Sequence, residues 1–175
     1  MTIKLLFFSL LLTLNLYSGT GIKGQNAPSF GDITWLQTDR NKNPKIEDYR
    51  GKVLYLYGFQ SWCPGCHAHG FPTLHKLSKH YQGDSKVAFL AIQTVFEGFS
   101  TNTIDAAKAI IKRYALTMPV GHSGGDGQRS ELMNNYRTGG TPWAIIIDKK
   151  GIVRFNGFGV DADKAITFID FLKDE

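Results

Sequence analysis

Residues Val53-Leu54-Tyr55-Leu56-Tyr57-Gly58-Phe59 form an unbroken β-branched and aromatic run, and Trp62-Cys63-Pro64-Gly65-Cys66 follows at its C-terminal end. A run with no polar alternation fits a strand buried on both faces, as in a parallel or mixed sheet. Beyond Pro64 the period changes. Phe71, Leu74, Leu77 and Tyr81 recur at helical spacing, while Lys76, Lys79 and His80 fall elsewhere. Pro64 suits a first helical turn. Pro72 is expected inside this helix, where its missing N–H would kink it and angle the cysteine turn separately.

The alternation repeats downstream. Val87–Thr94 reads as a second buried strand, and 103–114 as a crossover helix with Ile104, Ala107, Ile110, Ile111 and Tyr114 inward. Residues 118–121 read as a short strand, 123–127 as a glycine-rich loop and 130–137 as a short helix. A hairpin follows Gly139-Gly140-Thr141-Pro142, with strands at 144–148 and 152–155. The last helix, 161–172, takes Asp161 near its N-cap and turns Ala165, Phe168, Ile169 and Leu172 inward. Upstream, a polar lead-in at 22–32 precedes a short strand at 33–36. With 175 residues, 42% of them hydrophobic, one core suffices and one domain is expected.

Residues 1–21 stand apart from that domain, 22–175. A basic start ending at Lys4, an apolar stretch over 5–17 and the small residues Ser18-Gly19-Thr20-Gly21 have the form of a secretory signal. About thirteen apolar residues are short of the roughly twenty that a membrane crossing takes, so cleavage after Gly21 is expected, with retention as an N-terminal anchor the alternative. Lys4 is the one charged residue of the segment, so the net charge of +5 (20 basic, 15 acidic) becomes +4 without it, 19 against 15. The cations are scattered, which gives nucleic-acid binding no support.

Export sharpens the meaning of the cysteines, which number two in the whole chain. Disulfides persist outside the cytosol, but a bridge closing two intervening residues constrains little of the unfolded chain and would be a poor staple. A redox role is the better reading. A cysteine at a helix N-terminus has its thiolate stabilised by the dipole and the free N–H groups there, and the thiolate is the species that attacks disulfides.

Strand, C-x-x-C, helix with Pro72, crossover strand and helix, Thr-Pro, hairpin and terminal helix together resemble the thioredoxin fold, and the added mid-chain helix resembles its exported TlpA and ResA (redoxin) branch. The resemblance covers roughly residues 33–172. It implies an α/β fold of three layers, a mixed central sheet flanked by helices. It also implies a thiol-disulfide oxidoreductase with Cys63 as exposed nucleophile, Cys66 as buried resolving thiol, and Pro142 as a cis-proline presenting Thr141 to substrate. Trp62 and Trp143 would each wall the substrate site or fill the core. Pro64 and Gly65, in the reverse of the common Gly-Pro order, would tune the redox poise. His69 lies near an acidic position of the ResA-like branch and is read as a further tuning group; Glu97 is a weaker candidate base. The helix proline stands six residues after Cys66 rather than five. Expected partners are disulfide-bearing exported proteins and a membrane electron donor; the dithiol chemistry asks for no metal or cofactor, and its direction, reducing or oxidising, stays open.

Three other functions use parts of the same pattern. Cys63-Pro64-Gly65-Cys66-His67 satisfies the c-type haem attachment sequence, with His67 as axial ligand. A Sco-like copper carrier would pair two cysteines with a histidine such as His122, but that family spaces its cysteines one residue further apart. A peroxiredoxin would need a proline and a hydroxyl where this chain has Leu56 and Gln60.

Overall fold

The computed structural model describes residues 21–39 and 42–175, so the leader read at 1–21 lies, apart from Gly21, outside the described residues. Every residue of β2 (Val53–Phe59) is buried. Side chains alternate across a strand, so its two sets feed different layers. Val53, Tyr55, Tyr57 and Phe59 pack with Leu74 and Leu77 of α1 (Phe71–His80) and Ala165, Ile169 and Leu172 of α4 (Ala162–Asp174). Leu54 and Leu56 pack on the other side with Leu132 and Tyr136 of α3 (Glu131–Tyr136). Each such side chain contributes about 1.5–3 kcal/mol when fully buried, which is why the run has no polar alternation.

The mixed sheet has six strands, in the order β1 (Thr34–Gln37), β4 (Val120–Ser123), β3 (Val87–Thr94), β2, β5 (Trp143–Ile147) and β6 (Val153–Phe158). β2, β3 and β4 run parallel, and β1, β5 and β6 pair antiparallel to their neighbours. The helix α2 (Ile104–Arg113) is the crossover from β3 to β4, with Thr103 as N-cap accepting from the Ala106 N–H. The Asp161 carboxylate caps α4 by accepting from the N–H groups of Asp163 and Lys164. The α/β three-layer expectation holds.

Three local expectations are corrected. The polar lead-in is structural: Ile22, Ala27 and Phe30 are buried, and Gly24 and Gln25 exchange backbone bonds with Val153. Its apolar residues are too sparse to show a period. Ile104 opens α2 on its exposed side, leaving Ala107 and Ile110 as the buried positions. The strand expected at 118–121 begins at Val120, since Pro119 lacks the donor that a ladder needs. Pro72 lies where expected, inside a helical run that starts at Pro64, and it directly follows a π-helical turn, Cys66–Gly70. A π turn inserts one residue into a helix, and it absorbs the extra residue between Cys66 and the proline.

Candidate functional site

β2 delivers the chain to the site, and the helix begins at Pro64, so Cys63 sits at its N-terminal end. The Cys66 N–H points back at the Cys63 sulfur, 3.2 Å away. On its other side Cys63 Sγ donates to the Thr141 carbonyl at 3.6 Å. The Thr141–Pro142 bond is cis. Gly65 lies under the Pro142 ring: a Cβ there would come within 3.2 Å of Pro142 Cδ, so the cysteine turn and the proline loop touch. Both are free thiols, and Cys63 is buried too, 7% exposed where the resemblance implied an exposed sulfur, while Cys66 is fully buried. Burial, reinforced by the neighbouring Cys63, pushes the Cys66 thiol up to about 12, with backbone and side-chain contacts from Gln60 and Tyr57 opposing. The two sulfurs thus differ: the outer one lies between the Cys66 N–H and the Thr141 carbonyl, and burial holds the inner one back as a thiol.

Trp62 is 45% exposed, and its indole Nε1 packs over Gly98 in the loop after β3. Trp143 is core instead: it is buried in the second layer, donates to Asn156 Oδ1 at 2.6 Å and lies beneath the exposed Phe158 ring, 4.6 Å between centroids. His69 is exposed, on the rim of a groove of about 440 Å³ that Tyr57, Pro142 and Val160 also line. Among the described residues it hydrogen-bonds neither cysteine. Glu97 is exposed, and its backbone carbonyl is what the loop uses.

The ordered imidazole is His67. Its Nε2 meets the Ser61 carbonyl at 2.7 Å and its Nδ1 the Tyr114 hydroxyl at 2.7 Å. The carbonyl only accepts, so Nε2 carries a proton, and the neutral ring accepts from Tyr114 at Nδ1. With both nitrogens committed, His67 has none to offer as an axial ligand, which disfavours the haem reading. His122 on β4 accepts from Gln93 Nε2 at 3.0 Å, and burial lowers its pKa. Among the described residues no three His, Cys, Asp or Glu side chains gather as a metal site. Leu56 is core and Gln60 spends its amide on the Thr94 carbonyl, which gives Cys63 no peroxidase-type hydroxyl there.

Asn102 belongs to no motif and sequence reasoning missed it, yet it ties the site together. It is fully buried. Its Oδ1 accepts from the Ser61 N–H at 2.9 Å and the Ser61 hydroxyl at 3.0 Å, and its Nδ2 donates to the Glu97 carbonyl at 3.0 Å. An Asn just ahead of the Thr103 N-cap is ordinary in sequence, because its partner lies 41 residues away.

The Redoxin family model matches residues 22–168. The thioredoxin-like protein YneN of Bacillus subtilis is 26% identical over 132 residues, 75% of this chain and 69% of its own. The thiol-disulfide oxidoreductase ResA of Bacillus cereus is 28% identical over 130 residues, 74% of this chain and 66% of its own. The match thus spans about two thirds of these relatives. A crystal structure of a thioredoxin-like superfamily protein has a TM-score of 0.78 and 35% identity, covering 86% of this chain and 97% of that one. A thiol-disulfide isomerase from Corynebacterium glutamicum has a TM-score of 0.73 and 33% identity, covering 86% and 98%.

Proposed function

Since the chain belongs to the Redoxin family and is a thiol-disulfide oxidoreductase of the thioredoxin-like, ResA-related kind, we propose that it reduces disulfides in extracytoplasmic proteins through a Cys63–Cys66 dithiol cycle. The Cys63 thiolate attacks a substrate disulfide, forming a mixed disulfide and expelling one substrate thiolate, which takes up a proton. Cys66, deprotonated in turn, attacks Cys63 Sγ. The Cys63–substrate bond breaks, the second substrate sulfur leaves with the electron pair and is protonated, and the protein keeps an internal disulfide. Two electrons pass from protein to substrate.

The asymmetry of the two sulfurs carries this reading: the outer one lies between a backbone donor and the Thr141 carbonyl, and the inner one is buried behind it. Trp62, Thr141 and Pro142 receive the substrate strand, and Pro64 and Gly65 set the poise. The leader-like residues 1–21 support an extracytoplasmic address, free or tethered. There the oxidised protein is recharged by a membrane electron-donor protein. Equilibrating the protein against glutathione or dithiothreitol buffers and trapping free thiols tests the direction. A potential near roughly −270 mV fits a reductant, whereas one near roughly −120 mV would overturn the reducing direction in favour of disulfide formation.

A further inference from the structure

Tyr57 is the residue whose placement the fold leaves unexplained. It lies on the cysteine-facing side of β2 and is 1% exposed, with its ring stacked 6.0 Å from Phe59 and edge-on to Phe71 at 5.4 Å. Its hydroxyl is buried without a hydrogen-bond partner. A buried hydroxyl without a partner costs stability, and Phe would pack the same site without that cost. The chain makes room for it nonetheless. Gly70 stands four residues after Cys66 in the π turn, and a Cβ there would lie 1.9 Å from the Tyr57 hydroxyl oxygen and 2.7 Å from Cζ. The phenol therefore reaches the helix backbone at the turn that holds Cys66. Tyr57 and Cys66 lie in the same buried cluster and each acts on the other's proton affinity, although the hydroxyl has no hydrogen-bond partner.

A polar group that is idle in one state has a use if a charge forms beside it in another. We propose that the Tyr57 hydroxyl is the hydrogen-bond donor that holds the Cys66 sulfur while it is negatively charged, so that Tyr57 governs the resolving half of the exchange and not the first attack. The proposal rests on the dithiol reading above. Burial raises the phenol beyond its ordinary range, so Tyr57 stays protonated and acts as a donor, never as the base. The titratable groups acting on Cys66 are Cys63 and Tyr57, and those acting on Tyr57 are the two cysteines and Tyr55; no carboxylate is among them. The Cys66 proton is lost to water. The sulfur attacks Cys63 Sγ, the substrate sulfur departs with the electron pair, and Tyr57 keeps its own proton throughout.

The test uses Tyr57→Phe in the full chain. In a Cys63→Ser background, Cys66 is titrated by the ultraviolet absorbance of its thiolate and by alkylation rate against pH. The midpoint should rise by about one unit, a roughly tenfold loss of thiolate at a given pH. With both cysteines present, an aromatic disulfide reagent reports the two halves separately: the first thiol released marks attack by Cys63, the second marks resolution by Cys66. The second release should slow about tenfold while the first is unchanged. An unmoved Cys66 midpoint, or equal slowing of both releases, would overturn the proposal. If Tyr57→Phe does not fold, 3-fluorotyrosine at position 57 keeps the shape and makes a more acidic donor, which should lower the midpoint; no shift there would overturn it too. A parent protein that releases no thiol at all refutes the oxidoreductase reading, while the Cys66 titration, which needs no turnover, still decides the role of Tyr57.

Discussion

Replacing Asn102 by Ala removes the amide that ties the active-site loop to the loop after β3. Three bonds of 3.0 Å or shorter are lost, two to Ser61 and one to the Glu97 carbonyl. Each is worth about 1 kcal/mol net, and Ser61 is only partly buried, so water recovers part of the loss. A destabilisation of about 2 kcal/mol follows, which for a domain of this length lowers Tm by about 4–8 °C. Because the Ser61 N–H sits two residues before Cys63, its release also loosens the nucleophile's approach, slowing disulfide exchange about tenfold. Thermal unfolding by circular dichroism and exchange kinetics on a model disulfide measure both effects. Asn102→Asp separates the two arms. It keeps the acceptor for Ser61 but sets a carboxylate against the Glu97 carbonyl, so it should melt as low as Asn102→Ala while exchanging closer to the parent rate. An Asn102→Ala protein that melts within about 1 °C of the parent and exchanges as fast would refute the argument.

Brief alkylation of the native, reduced protein near neutral pH should label Cys63 and spare Cys66, whose thiol burial keeps protonated; equal labelling in a peptide map would contradict the asymmetry. His122 has its folded-state pKa lowered by burial, so below about pH 6.5 the unfolded chain binds the proton more readily and stability falls as pH drops. His122→Asn should flatten that acid limb of Tm against pH, and an unchanged limb would assign it to other groups. Gly124→Ala places a Cβ 2.7 Å from the Ser130 nitrogen and 2.8 Å from the Gln128 carbonyl at a φ of +86°. It should cost about 1–3 kcal/mol, read as a lower denaturant midpoint, whereas a midpoint like the parent's would mean the loop is free to shift.

The elements that sequence locates well are those whose signal is local. β2 and β3 carry continuous apolar runs that only a two-sided burial explains, and their observed bounds match the runs. Asp161 and Thr103 cap their helices because a short polar side chain ahead of an amphipathic stretch is a signal contained within four residues. The cysteine pair and its position at a strand-to-helix junction are equally local, and so is the proline that follows Thr141. The step of six positions from Cys66 to Pro72 marks an irregularity, but only packing decides that a π turn takes it up.

The rest is settled by partners far apart in the chain. Thr141 reaches Cys63 across 78 residues, Tyr114 reaches His67 across 47 and Asn102 reaches Ser61 across 41. Spacing places His67 and His69 in the same helical turn and does not choose between them; the tertiary structure gives one two hydrogen bonds and leaves the other in solvent. Tyr57 reads as one more aromatic in a buried strand, which it is, until the helix turns Cys66 and Gly70 onto the same side of the sheet. Periodicity along a chain encodes which face is buried and where an element ends, because those depend on neighbours within a few residues. Which buried polar atom meets which depends on how whole layers dock, and that is fixed only once the sheet, its crossovers and the cysteine turn have closed on one another.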